Sequence, residues 1–349
     1  GYSITPSLKL CTGYLNPRWK EKDRLMGCQA MAPVLIVTYD RLDHLKKTIT
    51  SLRRNIYAEQ TDLFVASDFQ RSDSEASKVA AVRSYLKSVD GFKSVTVFTR
   101  EKNFGVVDNS NVALQFIFDK FDRFIIMNDD LVTAPGFLKF VNEAFERYGK
   151  NERVFSFTGY CPPIPIPSTY EYDAFFLGRM NAWGCAMTKD RFDSVREITR
   201  EEFDEFAGNK KLSRAFVKGG GEDLLVMLKD VAYGSLEAWD VRCMYTQFMK
   251  DQYTVYPAQS LILNIGFDGT GMHCGKTDRF DVALSDKTTF QFPDDLVVDQ
   301  RIVKTNRKFR AGASYPRKLM LRTRGIVGKS LQIFKRSLKS LAGPLVRKG

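Results

Sequence analysis

The sequence predicts an α/β protein: a mostly parallel sheet flanked by helices. Three observations lead there. Short apolar runs recur through the first half of the chain, at Pro33–Thr38, Leu63–Ser67, Ser94–Phe98 and Phe124–Met127. Between them lie segments of helical length with apolar residues three and four apart. Strands alternating with helices of this length build parallel sheets covered on both faces. Third, several runs end in charged residues, and ligands on such sheets bind beyond the carboxyl ends of the strands.

Residues 1–30 carry little pattern and read as a lead-in. Pro33-Val-Leu-Ile-Val-Thr38 is a compact strand, and Leu42 to Asn55 follows with a helical stripe of Leu42, Leu45, Ile49 and Leu52. Leu63–Ser67 is a second strand ending at Asp68. Asp73 to Val89 is helical, with Val79, Val82 and Leu86 on one face. Ser94–Phe98 is the third strand, Asn109 to Phe121 a helix, and Phe124–Met127 a fourth strand running into Asn128, Asp129 and Asp130. Past residue 150 the alternation loosens. Cys161-Pro-Pro-Ile-Pro-Ile-Pro167 cannot be helix and reads as a rigid loop. Lys218–Leu225, with three glycines, reads as a flexible loop entering a helix. Tyr253–Pro257 and Ser260–Asn264 read as strands, and Ile265–Gly275 is a glycine-rich loop. The expected organisation is a first half over 31–150, a second half over 151–290 within one catalytic unit, and a tail over 301–349.

Composition sets limits. The 349 residues carry 53 Lys+Arg and 41 Asp+Glu, a net charge of +12. Residues 301–349 hold 15 of the basic residues and no acid, so the rest of the chain is nearly neutral. That distribution argues against a basic nucleic-acid groove through the body and for a basic appendage. In the appendage Val327, Leu331, Phe334, Leu338, Leu341 and Leu345 fall on one helical stripe flanked by lysines and arginines. A basic amphipathic helix of this kind suits an anionic membrane surface; packing on the body is the alternative. No apolar run is long enough to span a membrane. The N-terminus lacks the basic-then-apolar pattern of a secretory signal. Together these give the expectation of a cytoplasmic protein, peripheral at the inner face of the membrane. The six cysteines are scattered, with no CxxC pair, and read as reduced, packed thiols.

Four constellations carry chemistry. Asn128-Asp129-Asp130 ends a buried strand, and buried carboxylates need neutralising, which a hard divalent cation does; a helix N-cap is the competing reading. Glu222 and Asp223 follow three glycines at a helix start, which suits a catalytic base on a closing loop, or a solvated cap. Gly266–Gly275 offers backbone N–H groups to phosphate, with His273 able to hydrogen-bond a diphosphate or join a metal shell; an ordinary connection is the alternative. Asn181-Ala-Trp183-Gly184 reads as core, or as an acceptor-contacting turn.

The order of these motifs resembles the nucleotide-sugar glycosyltransferases of GT-A fold, especially the N-acetylglucosaminyltransferase I type, over roughly residues 32–280. Thr38-Tyr39-Asp40-Arg41 resembles the Asp-Arg strand end of that family, which implies nucleotide contact by Arg41 and its neighbours Thr38 and Tyr39. Asp68 resembles the acid that reads the uracil. Asn128-Asp129-Asp130-Leu131 with Ala134-Pro135 resembles the acidic triplet; Asp130 then inherits direct ligation of Mn²⁺ (or Mg²⁺), while Asn128 departs from the family's Glu. The family's base is the second of two adjacent acids, which favours Asp223 over Glu222. Thr270 is nearest in character to its diphosphate-binding Ser. The resemblance implies an inverting, metal-dependent transfer of sugar from a nucleotide diphosphate, UDP foremost, to a glycan or lipid-linked acceptor such as a lipopolysaccharide precursor. A sugar nucleotidyltransferase is a weaker alternative, because Thr38–Asp43 has no glycine. A non-catalytic membrane-docking scaffold is the other.

Overall fold

The structure, a computed structural model, describes residues 30–271 and 275–311. The chain divides into two compact units, Gly1–Ala30 and Met31–Gly349, and all the described strands and helices belong to the second. The lead-in through residue 29, His273 and the stripe from Val327 to Leu345 lie outside the described residues.

Strands β1 (Val34–Thr38), β2 (Asp62–Ser67), β3 (Ser94–Thr99) and β4 (Arg123–Asn128) are mutually parallel in the order β3-β2-β1-β4. The sheet continues through four strands of the second half. There β8 (Cys185–Thr188) runs antiparallel to β4, and β6 (Val154–Thr158) antiparallel to β8. Next come β9 (Tyr253–Pro257), parallel to β6, and β7 (Ala174–Leu177), antiparallel at the edge. The expected α/β architecture is therefore present, and most pairings in the large sheet are parallel.

Every residue of β1 and β2 is buried, because helices cover both faces. Val34 and Ile36 point to one side, where they meet α1 (Leu42–Arg53), α2 (Ala76–Leu86) and α4 (Phe137–Tyr148). Leu35 and Val37 point to the other, against α3 (Gly105–Phe118), α6 (Arg200–Gly208), α8 (Glu222–Ala232) and α9 (Trp239–Met249). The short α5 (Lys189–Asp193) follows β8 and adds Phe192 to this second side. The period-two division makes two cores from one strand sequence. Burying one Phe, Leu or Ile side chain contributes about 1.5–3 kcal/mol, and Phe124, Phe137 and Phe140 are fully enclosed.

Two segments differ from expectation. α3 starts at Gly105, four residues before the anticipated Asn109, because Asp68 accepts the N–H groups of Phe104 and Gly105, both at 2.9 Å. α7 (Lys210–Gly220) takes in Gly219 and Gly220, so the expected flexible loop shrinks to Gly221, whose φ of +109° breaks the chain into α8.

Two further pieces place the site. A small ribbon pairs β5 (Leu131–Thr133) with β10 (Ile262–Asn264), joining Leu131 to Asn264. Residues 278–299 then run as a strap over α4, where Phe292 stacks on Phe140, Phe290 meets it edge-on and the Tyr148 hydroxyl donates to the Pro293 carbonyl. The strap leads into α10, helical over 300–311, whose Ile302 is buried beside Cys161, Phe175 and Tyr256. No helix among the described residues is long and apolar enough to cross a membrane. Cys161, Cys185 and Cys243 are buried free thiols.

Candidate functional site

The turn from β4 to β5 holds the acidic pair. Asn128 is exposed at the end of β4. Asp129 turns inward: Thr38 Oγ1 donates to its Oδ2 at 2.7 Å, the Tyr39 amide at 3.4 Å, and Thr48 Oγ1 donates to its carbonyl at 2.7 Å. Burial pushes its carboxyl up to about 6, with the neighbouring Asp130 adding to the rise and the Thr38 hydroxyl opposing it.

Asp130 points the other way. Arg41 Nη1 donates to its Oδ2 at 2.8 Å. The positive charge expected beside the acidic pair is therefore supplied, in the chain itself, by a guanidinium. The second carboxylate oxygen, Oδ1, is buried with no hydrogen-bond partner. A buried, unmatched carboxylate oxygen is costly alone and is what a hard cation takes. No group of three or more His, Cys, Asp or Glu that could hold a metal occurs among the described residues. A cation at Asp130 would thus depend on oxygens from water and ligand, as Mg²⁺ and Mn²⁺ sites for phosphate substrates do.

The glycine-rich loop lies directly on this pair. The β5–β10 ribbon brings it there, and Ile265 N donates to the Asp130 carbonyl at 2.9 Å. Gly266 passes so near that a Cβ would stand 2.0 Å from Asp130 Oδ2. Arg41 Nη2 donates to Thr270 Oγ1 at 3.0 Å and lies 3.7 Å from Asp268 Oδ1. His44 Nε2, in the first turn of α1, is 3.1 Å from Asp268 Oδ2. Thr38, Arg41, Asp129, Asp130 and Thr270, far apart in the chain, thus share one rim.

Other anticipated residues sit differently. Both Asp68 oxygens are taken by the amides of Phe69, Phe104 and Gly105 and the side-chain amide of Asn103, so its visible work is to order the loop before α3. Tyr39 sends its hydroxyl to Glu75, and Arg71 lies over its ring at 5.3 Å. Asp223 is in the first turn of α8, gripped on both oxygens by Arg179 at 2.9 Å. Burial would raise its carboxyl, but the Arg179 and Arg310 guanidiniums prevail and hold it below the usual range. Glu222 is exposed. Trp183 packs against Tyr160, Phe267 and Phe280. Gly184, with φ +63°, makes a tight turn, and a Cβ there would press on Ile262 and Phe137.

An aromatic chain ties the two acidic centres: Phe267, next to Asp268, stacks on Phe280 at 4.9 Å, and Phe280 meets Phe309, next to Arg310, at 5.8 Å. His44, Arg179, Asp268 and Arg310 are the participants that sequence reasoning passed over. Asp268 had a readable signal, an acid inside the glycine-rich loop. Arg179 and Arg310 had none, since their partner lies far along the chain.

Residues 34–162 match the sequence model of Glycosyl transferase family 2. No curated protein matches the chain. Among solved structures, the crystal structure of S. aureus TarS is similar at 10% identity and a TM-score of 0.39, over 66% of this chain and 36% of that one. A structure of S. aureus TarS 1–349 gives 11% identity and a TM-score of 0.39, over 66% and 59%. The mannosyltransferase PcManGT from Pyrobaculum calidifontis, in complex with GDP-Man and Mn²⁺, gives 12% and 0.33, over 46% and 45%. The chain thus spans about a third of the first TarS structure and under two thirds of the other two.

Proposed function

We propose that this chain is a metal-dependent, inverting glycosyltransferase that takes sugar from a nucleoside diphosphate, UDP foremost, to a hydroxyl of a glycan or lipid-linked glycan. The observation that carries the reading is the convergence of Arg41, Asp130 and the loop of Gly266 and Thr270 on one rim of a nucleotide-type sheet. The Glycosyl transferase family 2 match spans β1, β4 and β5, which carry Arg41 and Asp130, while β10 and the loop of Gly266 and Thr270 lie beyond it.

In this reading Arg41 and the Thr270 hydroxyl bind the diphosphate, and Asp130 Oδ1 holds Mn²⁺ or Mg²⁺. When bound, the ion neutralises charge that develops on the leaving diphosphate. Asp129 stays inside, fixing Thr38 and Tyr39 and so the strand end that carries Arg41. Trp183 and Gly184 shape the wall on which an acceptor rests. Asp223 takes the proton from the acceptor hydroxyl as that oxygen attacks the anomeric carbon and displaces the diphosphate. For this step one Asp223 oxygen leaves Arg179 for the incoming hydroxyl, while the other keeps the side chain aligned. The basic tail holds the enzyme at the anionic inner face of a membrane, near a lipid-linked acceptor.

The test is a screen of UDP-, GDP- and dTDP-sugars for turnover with Mn²⁺ and with chelator, followed by Asp223→Asn. The expected result is metal-dependent turnover of one donor, a fall of about 10³-fold in D223N, and donor affinity retained. Turnover undiminished in D223N would move the base elsewhere. Because Asp223 faces two buried arginines, D223N also loses about 3 kcal/mol of stability, so its fold is checked by thermal unfolding.

A further inference from the structure

The loop residue Asp268 gathers donors from its own turn and from the start of α1. Its Oδ1 accepts the Thr270 amide at 2.9 Å and the Thr270 hydroxyl at 2.7 Å. Oδ2 faces His44 Nε2 at 3.1 Å, and Arg41 Nη2 stands 3.7 Å from Oδ1. Guanidinium, imidazole, hydroxyl and amide around one anion make a donor set that also suits phosphate oxygens. The two basic side chains are partly enclosed, Arg41 at 17% exposure and His44 at 15%, whereas Asp268 is 41% exposed on a loop tip. Arg41 also spans from this anion to Asp130, the carboxylate with the unmatched oxygen.

We propose that Arg41 and His44 form a phosphate subsite, and that the Asp268 carboxylate is the internal anion seated in it until a diphosphate displaces it. The proposal rests on the glycosyltransferase reading of the rim and assigns His44 a binding role there. The geometry has three consequences. A phosphate oxygen cannot reach His44 Nε2 while Asp268 Oδ2 lies 3.1 Å from it, so ligand and carboxylate exclude one another. The exchange is cheap, because Asp268, 41% exposed, pairs through solvent-screened contacts and its replacement brings a second negative charge to the same donors. Thr270 Oγ1, which binds both Arg41 and Asp268, loses its carboxylate acceptor on displacement, so donor entry and release of that hydroxyl to the diphosphate are one event.

Calorimetric titration with inorganic pyrophosphate and with UDP, each with Mn²⁺, tests this in wild type, Asp268→Asn, His44→Ala and His44→Gln. Removing the internal anion should tighten pyrophosphate in D268N by about tenfold, the worth of one charge-assisted contact. H44A should weaken it about as much, and H44Q, which keeps a side-chain N–H, should recover part of the loss. Thermal unfolding within a few degrees of wild type verifies that the variants fold. Unchanged or weaker binding in D268N overturns the proposal, as does unaltered binding in H44A or an absence of pyrophosphate binding throughout. The outcomes separate from those of the glycosyltransferase reading. Sugar transfer with no effect of D268N or H44A on binding removes the subsite and leaves the enzyme. The expected shifts with no turnover of any sugar nucleotide leave the subsite and remove the enzyme.

Discussion

Gly266 and Asp130 show how closely single residues set this rim. A methyl group at position 266 would stand 2.0 Å from Asp130 Oδ2, and the carboxylate is already held by Arg41. Gly266→Ala therefore forces Asp130 or the loop aside. We expect a loss of about 2 kcal/mol from overpacking, with a parallel loss of UDP affinity, read by urea unfolding and calorimetry. Asp129 makes a second prediction. Its carboxyl rises from 3.8 to about 6 because burial disfavours the charged form. The folded protein thus holds that proton more tightly than the unfolded chain does. Stability from the neutral form is present below about pH 4 and is lost as pH rises through about 6. In metal-free protein, the difference in melting temperature between wild type and Asp129→Asn should change across this window in that sense; a constant difference would contradict it. Chemistry at this scale is partly legible in the sequence. The acidic pair and Arg41 are visible as charges ending apolar strands, but Arg179 on Asp223 is not, because a bidentate pair formed 44 positions apart leaves no local pattern.

Elements are legible where their signals are local. β1, β2 and β4 read as apolar runs because both faces are covered, and α1 reads from its stripe of Leu45, Ile49 and Leu52. The start of α3 is not legible, because its cap, Asp68, comes from another strand end. The break at Gly221 is narrower than the sequence suggests, since three glycines in a row look like a loop while two of them continue α7. α6 carries a local signal of its own: Thr199 and Glu202 form a capping box, with the Glu202 amide donating to the Thr199 hydroxyl and the Thr199 amide to the Glu202 carboxylate. Thr199→Ala should cost about 1 kcal/mol, measured by urea unfolding. As the box lies away from Arg41 and Asp130, pyrophosphate affinity should hold.

At the scale of the whole molecule, the parallel sheet is implied by strand–helix alternation, whereas the mixed second half is not. Its strands enter the sheet out of sequence order, β8 ahead of β6 and β9 ahead of β7, a matter of packing rather than local pattern. The charge asymmetry belongs here too. Removing residues 312–349, which carry ten of the 15 basic residues of the 301–349 tail, should abolish sedimentation with phosphatidylserine vesicles while leaving solution turnover intact; retained sedimentation would place the membrane contact elsewhere. The β5–β10 ribbon has one more implication, for the timing of biosynthesis. Leu131 and Asn264 are neighbours in the ribbon but far apart in translation. At about 5–20 residues per second, the acidic turn leaves the ribosome many seconds before its covering strand does. Through that interval the nascent sheet carries the charged pair with no loop over it. In that window Leu131 has no partner strand, so the growing polypeptide presents an open backbone edge there.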